Sequence, residues 1–275
     1  MNRPDQVITS LQNDQVKNLV KLRGRRERDR QRLLVIEEPL VISRALDAGY
    51  PMQTVYHCPG QLRPEGQALL ARLRAEVPGA DFVELAPPVM AKASYRDVPE
   101  GLVVVAPQVS RELADLDPPS GPGLVVVLEG VEKPGNLGAV LRVADGAGAA
   151  AVLVCGQGTD LSNPNVLRAS RGAYFWVPAV AASTPDILAW LKGAGIATVA
   201  TSPAAPQAFT DADLTGPVAI VLGTEHDGLS PALLQACDLQ VSIPMLGAGD
   251  SLNVATSSAV LLYEAVRQRR SQIKE

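Results

Sequence analysis

Gly247, Gly249, Ser251 and Asn253 occupy a loop that joins an apolar strand ending at Ile243 to a long helix running through Glu264. The glycines leave backbone N–H groups bare, and two small polar side chains stand beside a helix start. Unpaired donors and the positive end of the helix dipole favour an electron-rich ligand there. Two further strand-end loops carry the same kind of chemistry. In Glu129-Gly-Val-Glu-Lys-Pro-Gly-Asn-Leu-Gly-Ala-Val-Leu-Arg142, Asn136 lies near a helix start between glycines and Arg142 follows along the same helix. In Val221-Leu-Gly-Thr-Glu-His-Asp-Gly-Leu-Ser230, Gly223 permits close backbone approach and Glu225 sets a carboxylate where a buried strand meets solvent.

Two familiar chemistries are disfavoured by the same residues. Gly249-Asp250-Ser251-Leu252 spells the nucleophile box of one class of serine esterases, whose serine needs a histidine base. Both histidines, His57 and His226, precede Ser251, whereas those enzymes carry the histidine near the end of the domain. Taken alone, a glycine turn N-capped by Asp250 or Ser251 is the simpler reading of the tetrapeptide. Gly135 and Gly138 lack the dinucleotide spacing Gly-x-Gly-x-x-Gly, and no acidic ribose ligand follows a second strand, so a nicotinamide enzyme is not indicated.

These loops need a scaffold that ends several strands at one place. Beyond residue 122, apolar strands are predicted at 124–128, 151–155, 196–200, 219–222 and 239–243, with helices near 136–148, 163–171, 184–194 and 229–236. Such alternation predicts an α/β fold with a largely parallel sheet covered on both faces, its ligands at the carboxyl ends of the strands. Residues 1–106 read as a smaller α/β unit, and the Pro/Gly-rich stretch 107–121 reads as a linker. At 275 residues two domains are expected, and 47% hydrophobic residues fit a folded chain despite 22 prolines and 23 glycines.

Charge is unevenly spread. The net charge is −4, yet residues 1–34 hold nine Lys and Arg against four Asp and Glu, most of them in 21–32. Arg23, Arg25, Arg26 and Arg28 fit a solvated helix face, given the interleaved Glu27 and Asp29, and they fit a phosphate grip equally well. Three widely spaced cysteines, Cys58, Cys155 and Cys237, indicate neither a disulfide framework nor a zinc site, so no metal is expected. No apolar run has the length of a membrane span, and the start Met1-Asn-Arg-Pro-Asp lacks the apolar core of a signal peptide. A cytoplasmic location without membrane contact is expected.

Taken together and in order, Asn-x-Gly-Ala-x-x-Arg, Gly-x-Glu-x-x-Gly-Leu, and Ile-Pro-Met leading to Ser-Leu-Asn-Val resemble the SpoU (TrmH-type) ribose 2′-O-methyltransferases of the SPOUT superfamily. The basic first third is similar to the substrate-binding domain of members acting on ribosomal RNA, so the resemblance spans nearly the whole chain. It implies a deep trefoil knot in the carboxyl part, bent S-adenosylmethionine held there, a homodimer, and RNA as partner, large-subunit ribosomal RNA first and transfer RNA second. A non-catalytic RNA-binding protein on the same fold is the reading from another class.

The resemblance also implies roles. Ala200, Thr201, Gly223, Ile243, Met245, Gly247 and Leu252 hold the donor; Asn136, Arg142, Glu225, Ser251 and Asn253 form the reacting end, with Arg142 reaching a partner subunit's pocket. Arg168 and Arg171, in Asn163-Pro-Asn-Val-Leu-Arg-Ala-Ser-Arg-Gly172, are implied phosphate contacts. One departure is visible: Glu38 stands where members commonly have glycine.

Overall fold

A computed structural model describes residues 6–119, 121–157, 160–224 and 227–272. Its described residues fall into two compact units, one within residues 6–109 and 162–175, the other within residues 110–161 and 176–272.

In the first unit, β1 (Gln6–Ile8), β2 (Leu33–Glu37), β3 (Thr54–His57), β4 (Asp81–Leu85) and β5 (Leu102–Pro107) form a mixed sheet in the order β1-β4-β3-β5-β2. Alternation along β5 gives the sheet two apolar faces. Leu102, Val104 and Ala106 join one core with Leu34 and Ile36, while Val103 and Val105 join the other with Val35 and Tyr56. The helices are α1 (Asp14–Lys21), α2 (Arg25–Gln31), α3 (Pro39–Asp47), α4 (Pro64–Glu76) and α5 (Pro87–Ala93). Pro39, Pro64 and Pro87 each open one, where the missing N–H costs nothing. The Pro87-Pro88 pair is therefore a helix start.

Glu38, at the N-cap of α3, has φ 73° and ψ 124°, a conformation that suits glycine. Its carboxylate is held by Arg96, 3.3 Å away, and Arg96 also pairs with Glu100.

The second unit contains β6 (Leu124–Glu129), α6 (Pro134–Ala147), β7 (Ala151–Cys155), β8 (Ala179–Ala181), α8 (Thr184–Gly193), β9 (Ala197–Thr201), β10 (Gln207–Ala208), β11 (Val218–Leu222), α9 (Pro231–Ala236), β12 (Leu239–Ser242) and α10 (Val254–Gln272); α7 (Pro164–Ala169) belongs to the first unit. The sheet order is β10-β12-β9-β11-β6-β7-β8, and every pairing is parallel. β7 and β11 are buried at every residue, as strands covered on both faces must be. The predicted strands reappear as β6, β7, β9, β11 and β12; β8 and β10 are too short to carry a readable pattern.

The segment around α7 follows the linker in sequence but packs in the first unit. Leu167 and Phe175 are buried in its core beside Leu34 and Ile42, and Tyr50 meets Phe175 edge to face. Gly172 explains the close fit: at φ +89°, a Cβ there would lie 2.4 Å from the Cβ of Arg44. Among the described residues no helix is long and apolar enough to cross a membrane, and no group of three or more His, Cys, Asp or Glu could hold a metal ion.

Candidate active site

Because β12, β9 and β11 are neighbours in the sheet, the loops leaving their carboxyl ends converge. They enclose a cavity of about 500 Å³, within the range of small-molecule sites. Thr201 ends β9, Ser202 and Pro203 come from the loop after it, Gly223, Thr224 and Asp227 from the loop after β11, and Ile243, Met245, Ser251 and Leu252 from the loop after β12.

The middle loop is shaped by a close crossing. Thr224 and Gly228 exchange backbone hydrogen bonds of 3.0 and 3.2 Å, and the Asp227 N–H donates to Thr224 Oγ1 at 2.9 Å. A Cβ on Gly223 would lie 2.1 Å from the Gly228 carbonyl group and 2.4 Å from the Leu229 nitrogen, so only glycine fits. Glu129, the last residue of β6, fixes the loop's far end: Ser230 N–H and Oγ donate to its two carboxylate oxygens at 2.7 and 2.8 Å. Ser230 in turn caps α9 through the Leu233 N–H. Glu129 carried no assignment in the sequence, although a carboxylate ending a buried strand is a signal for such a clamp.

Beside the cavity, Asn253 caps α10 by accepting from the Ala255 N–H at 2.9 Å, while its Nδ2 donates to Asn136 Oδ1 at 3.2 Å. The structure thus joins two sequence-predicted residues 117 positions apart. Arg142 is exposed, does not line the cavity, and has no hydrogen-bond or ion-pair partner among the described residues. Six residues turn an α-helix by about 240°, so Asn136 and Arg142 leave α6 on different faces.

Of the predicted donor residues, Thr201, Gly223, Ile243, Met245 and Leu252 line the cavity. Ala200 does not: it is fully buried in the core behind the strand ends. Gly247 is exposed and also lies outside the lining. Glu225 and His226 fall outside the described residues. Asp227 and Asp250 place two carboxylates on the wall, and no lysine or arginine is among the described lining residues, an environment that suits a cationic ligand. Composition and spacing gave no hint of Asp250 as a cavity residue.

The arginines of the first unit divide. Arg28 is 1% exposed and donates to the Leu22 and Arg23 carbonyls at 2.9 and 2.6 Å, so it is an internal clamp without a surface to offer a phosphate. Arg23 donates to the carbonyls of Lys92 and Ser94. Arg25 makes an exposed pair with Asp29, and Arg26, Arg168 and Arg171 are exposed.

Residues 123–263 match the family described as SpoU rRNA Methylase. The chain belongs to the SpoU rRNA methylase family. Residues 13–104 of this SpoU chain match a second description, the MRM3-like substrate binding domain. A 23S rRNA (uridine(2479)-2′-O)-methyltransferase of Streptomyces viridochromogenes is 32% identical over 84% of this chain and 81% of that protein. The crystal structure of an RNA 2′-O ribose methyltransferase shares 45% identity and a TM-score of 0.84, covering 96% of this chain and all of that one. The SpoU methyltransferase AviRb from Streptomyces viridochromogenes, solved in complex with the cofactor AdoMet, is 30% identical with a TM-score of 0.86 over 94% of this chain and 99% of that one.

Proposed function

We propose that this chain transfers the methyl group of S-adenosylmethionine to a ribose 2′-hydroxyl of large-subunit ribosomal RNA. The observation that carries the reading is the cavity at the converging ends of β9, β11 and β12, with the Asn136–Asn253 hydrogen bond at its side. Its residues fit the donor: Gly223 admits close backbone contact, Leu222, Ile243 and Met245 give apolar walls, and Asp227 and Asp250 suit a sulfonium cation.

Bound S-adenosylmethionine supplies the methyl group and the driving force for its transfer. The chain's own residues align and stabilise. Asn253 fixes Asn136 beside the cavity, and Ser251 presents a hydroxyl that can orient the incoming ribose. Glu225 we assign to orienting Asn136 or the RNA. Arg142 stabilises negative charge on the 2′-oxygen as its proton passes to solvent. A guanidinium resists deprotonation, so electrostatic stabilisation rather than base catalysis is its role. Because Arg142 is exposed and does not line the cavity of its own subunit, we assign it to the cavity of a partner in a homodimer. Leu246, fully exposed, and Tyr263, 51% exposed on α10, offer apolar surface for such an interface. We further assign RNA binding to the first unit, a knot to the converging loops, and the cytoplasm as location.

The Glu129 clamp predicts a separable defect. Glu129→Ala removes both bonds that hold Ser230, and S-adenosylmethionine affinity is expected to fall roughly tenfold by calorimetry, the effect of losing a charge-assisted pair. Glu129→Gln keeps an acceptor for the Ser230 N–H and should restore most of that loss. Equal affinities in all three proteins would remove Glu129 from the donor site.

The function itself is tested in cells. Ribosomal RNA from cells lacking the gene should lose one ribose methylation that returns with the intact chain, read by mass spectrometry of nuclease fragments. A loss confined to transfer RNA would move the activity to that substrate, and no loss in either would favour a non-catalytic binder.

A further inference from the structure

Tyr95 is an aromatic side chain 40% exposed on the first unit, in a short loop that the surrounding residues hold still. The Tyr95 N–H donates to Glu37 Oε1 at 2.6 Å, and Ser94 Oγ donates to Glu37 Oε2 at 2.7 Å. Burial pushes the Glu37 carboxyl pKa up against those same hydrogen bonds. Arg23 holds the Ser94 carbonyl from one side, and Arg96 is engaged by Glu38 and Glu100 on the other. The strained backbone at Glu38 thus sits within the network that fixes this loop.

The ring's far end is fixed as well. Asn165 Nδ2, on α7, donates to the Tyr95 hydroxyl at 3.1 Å. Arg168 lies three residues beyond Asn165 on the same short helix, hence on the same face, and it is exposed. Val98, three residues beyond Tyr95, is 74% exposed and adds apolar surface to the loop. A tyrosine tied at both its backbone and its hydroxyl presents a ring face whose ordering cost is already met before any ligand arrives.

Resting on the RNA-methyltransferase reading above, the geometry points to Tyr95 as a stacking platform for one unpaired base of the substrate RNA, with Arg168 taking an adjoining phosphate. An aromatic face accepts any base, whereas a guanidinium beside it binds phosphate without reading sequence. The pair positions a single-stranded segment and leaves the donor cavity untouched.

Filter binding of the full chain to unmodified large-subunit ribosomal RNA across a salt series tests this, with S-adenosylmethionine affinity and far-ultraviolet circular dichroism as checks on each variant. Tyr95→Ala should weaken RNA binding roughly fivefold to a hundredfold, the range for one lost stacking contact, with an unchanged salt slope. Tyr95→Phe keeps the ring without its hydroxyl bond and should bind within about twofold of the parent, because stacking needs only the ring face. Arg168→Ala should reduce the salt slope by about 0.7, the value for one phosphate contact on a single strand. Parent-like binding by Tyr95→Ala overturns the platform while leaving the methyltransferase reading intact. Equal loss in Tyr95→Phe and Tyr95→Ala also overturns it, because the hydroxyl would then be holding the loop. Absence of RNA binding and of methyl transfer in the parent chain removes both readings together.

Discussion

Arg142→Ala is expected to abolish detectable methyl transfer while leaving S-adenosylmethionine affinity within about twofold of the parent, since the side chain acts only on charge that develops during reaction. Removing one preorganised donor to a developing oxyanion typically lowers turnover by about two to three orders of magnitude. Donor binding should survive because Arg142 is exposed, unpaired among the described residues and outside the cavity lining. For the same reason the fold should be unaffected, its α6 partners Leu137, Val140, Leu141 and Ala144 being the buried ones. Loss of donor affinity with turnover per bound donor retained would remove Arg142 from the reacting end.

Gly223→Ala is expected to give the opposite split. The added Cβ would lie 2.1 Å from the Gly228 carbonyl group, and both neighbours are backbone, so no side chain can swing aside. The Thr224–Gly228 crossing has to open, which deforms the wall of the cavity. Overpacking of this kind costs about 1–3 kcal/mol, enough to lower donor affinity by roughly fivefold to a hundred-and-fiftyfold when the strain is relieved only in the open loop. Calorimetry with S-adenosylmethionine, together with thermal unfolding to show that the chain still folds, reads the effect. Unchanged donor affinity would place the donor elsewhere.

The two variants also report on assembly. If Arg142 serves the partner's cavity, a mixed dimer of Arg142→Ala and Gly223→Ala subunits holds one intact site. Remixed in equal amounts and assayed at a donor concentration too low to fill the Gly223→Ala cavity, the two proteins should then recover about a quarter of parent activity, half of the dimers being mixed and each carrying one site of two. No recovery would place Arg142 in its own subunit's site.

The strands that end at the site were legible because fully buried parallel strands write short, continuous apolar runs, as in Val125–Leu128 and Val218–Leu222. Gly223, Ser251 and Asn253 stood out as glycine and small polar residues at strand ends, whereas Ile243 was expected only from the resemblance. Ala200 and Gly247 were expected at the donor from resemblance, and the structure sets both outside the lining. A residue at a strand end faces either the loop or the core, and motif position alone does not say which. Arg28 reads as one more surface charge, yet the chain reversal between α1 and α2 encloses it against two carbonyls. Tertiary contacts of that kind leave no periodic trace. Nor does the placement of the segment around α7, whose Leu167 and Phe175 complete the core of a unit that lies far from them in sequence. Glu129 and Asn136 show the same limit: each finds its partner more than 100 residues away.

The central claim is most directly tested by incubating the purified chain with methyl-labelled S-adenosylmethionine and unmodified large-subunit ribosomal RNA, digesting the RNA, and identifying the labelled nucleoside by mass spectrometry. The expected product is a single nucleoside labelled on its ribose 2′-oxygen, absent when Arg142→Ala replaces the parent. Label on a base, or no label in ribosomal or transfer RNA despite measurable donor binding, would contradict ribose methylation as the activity of this chain.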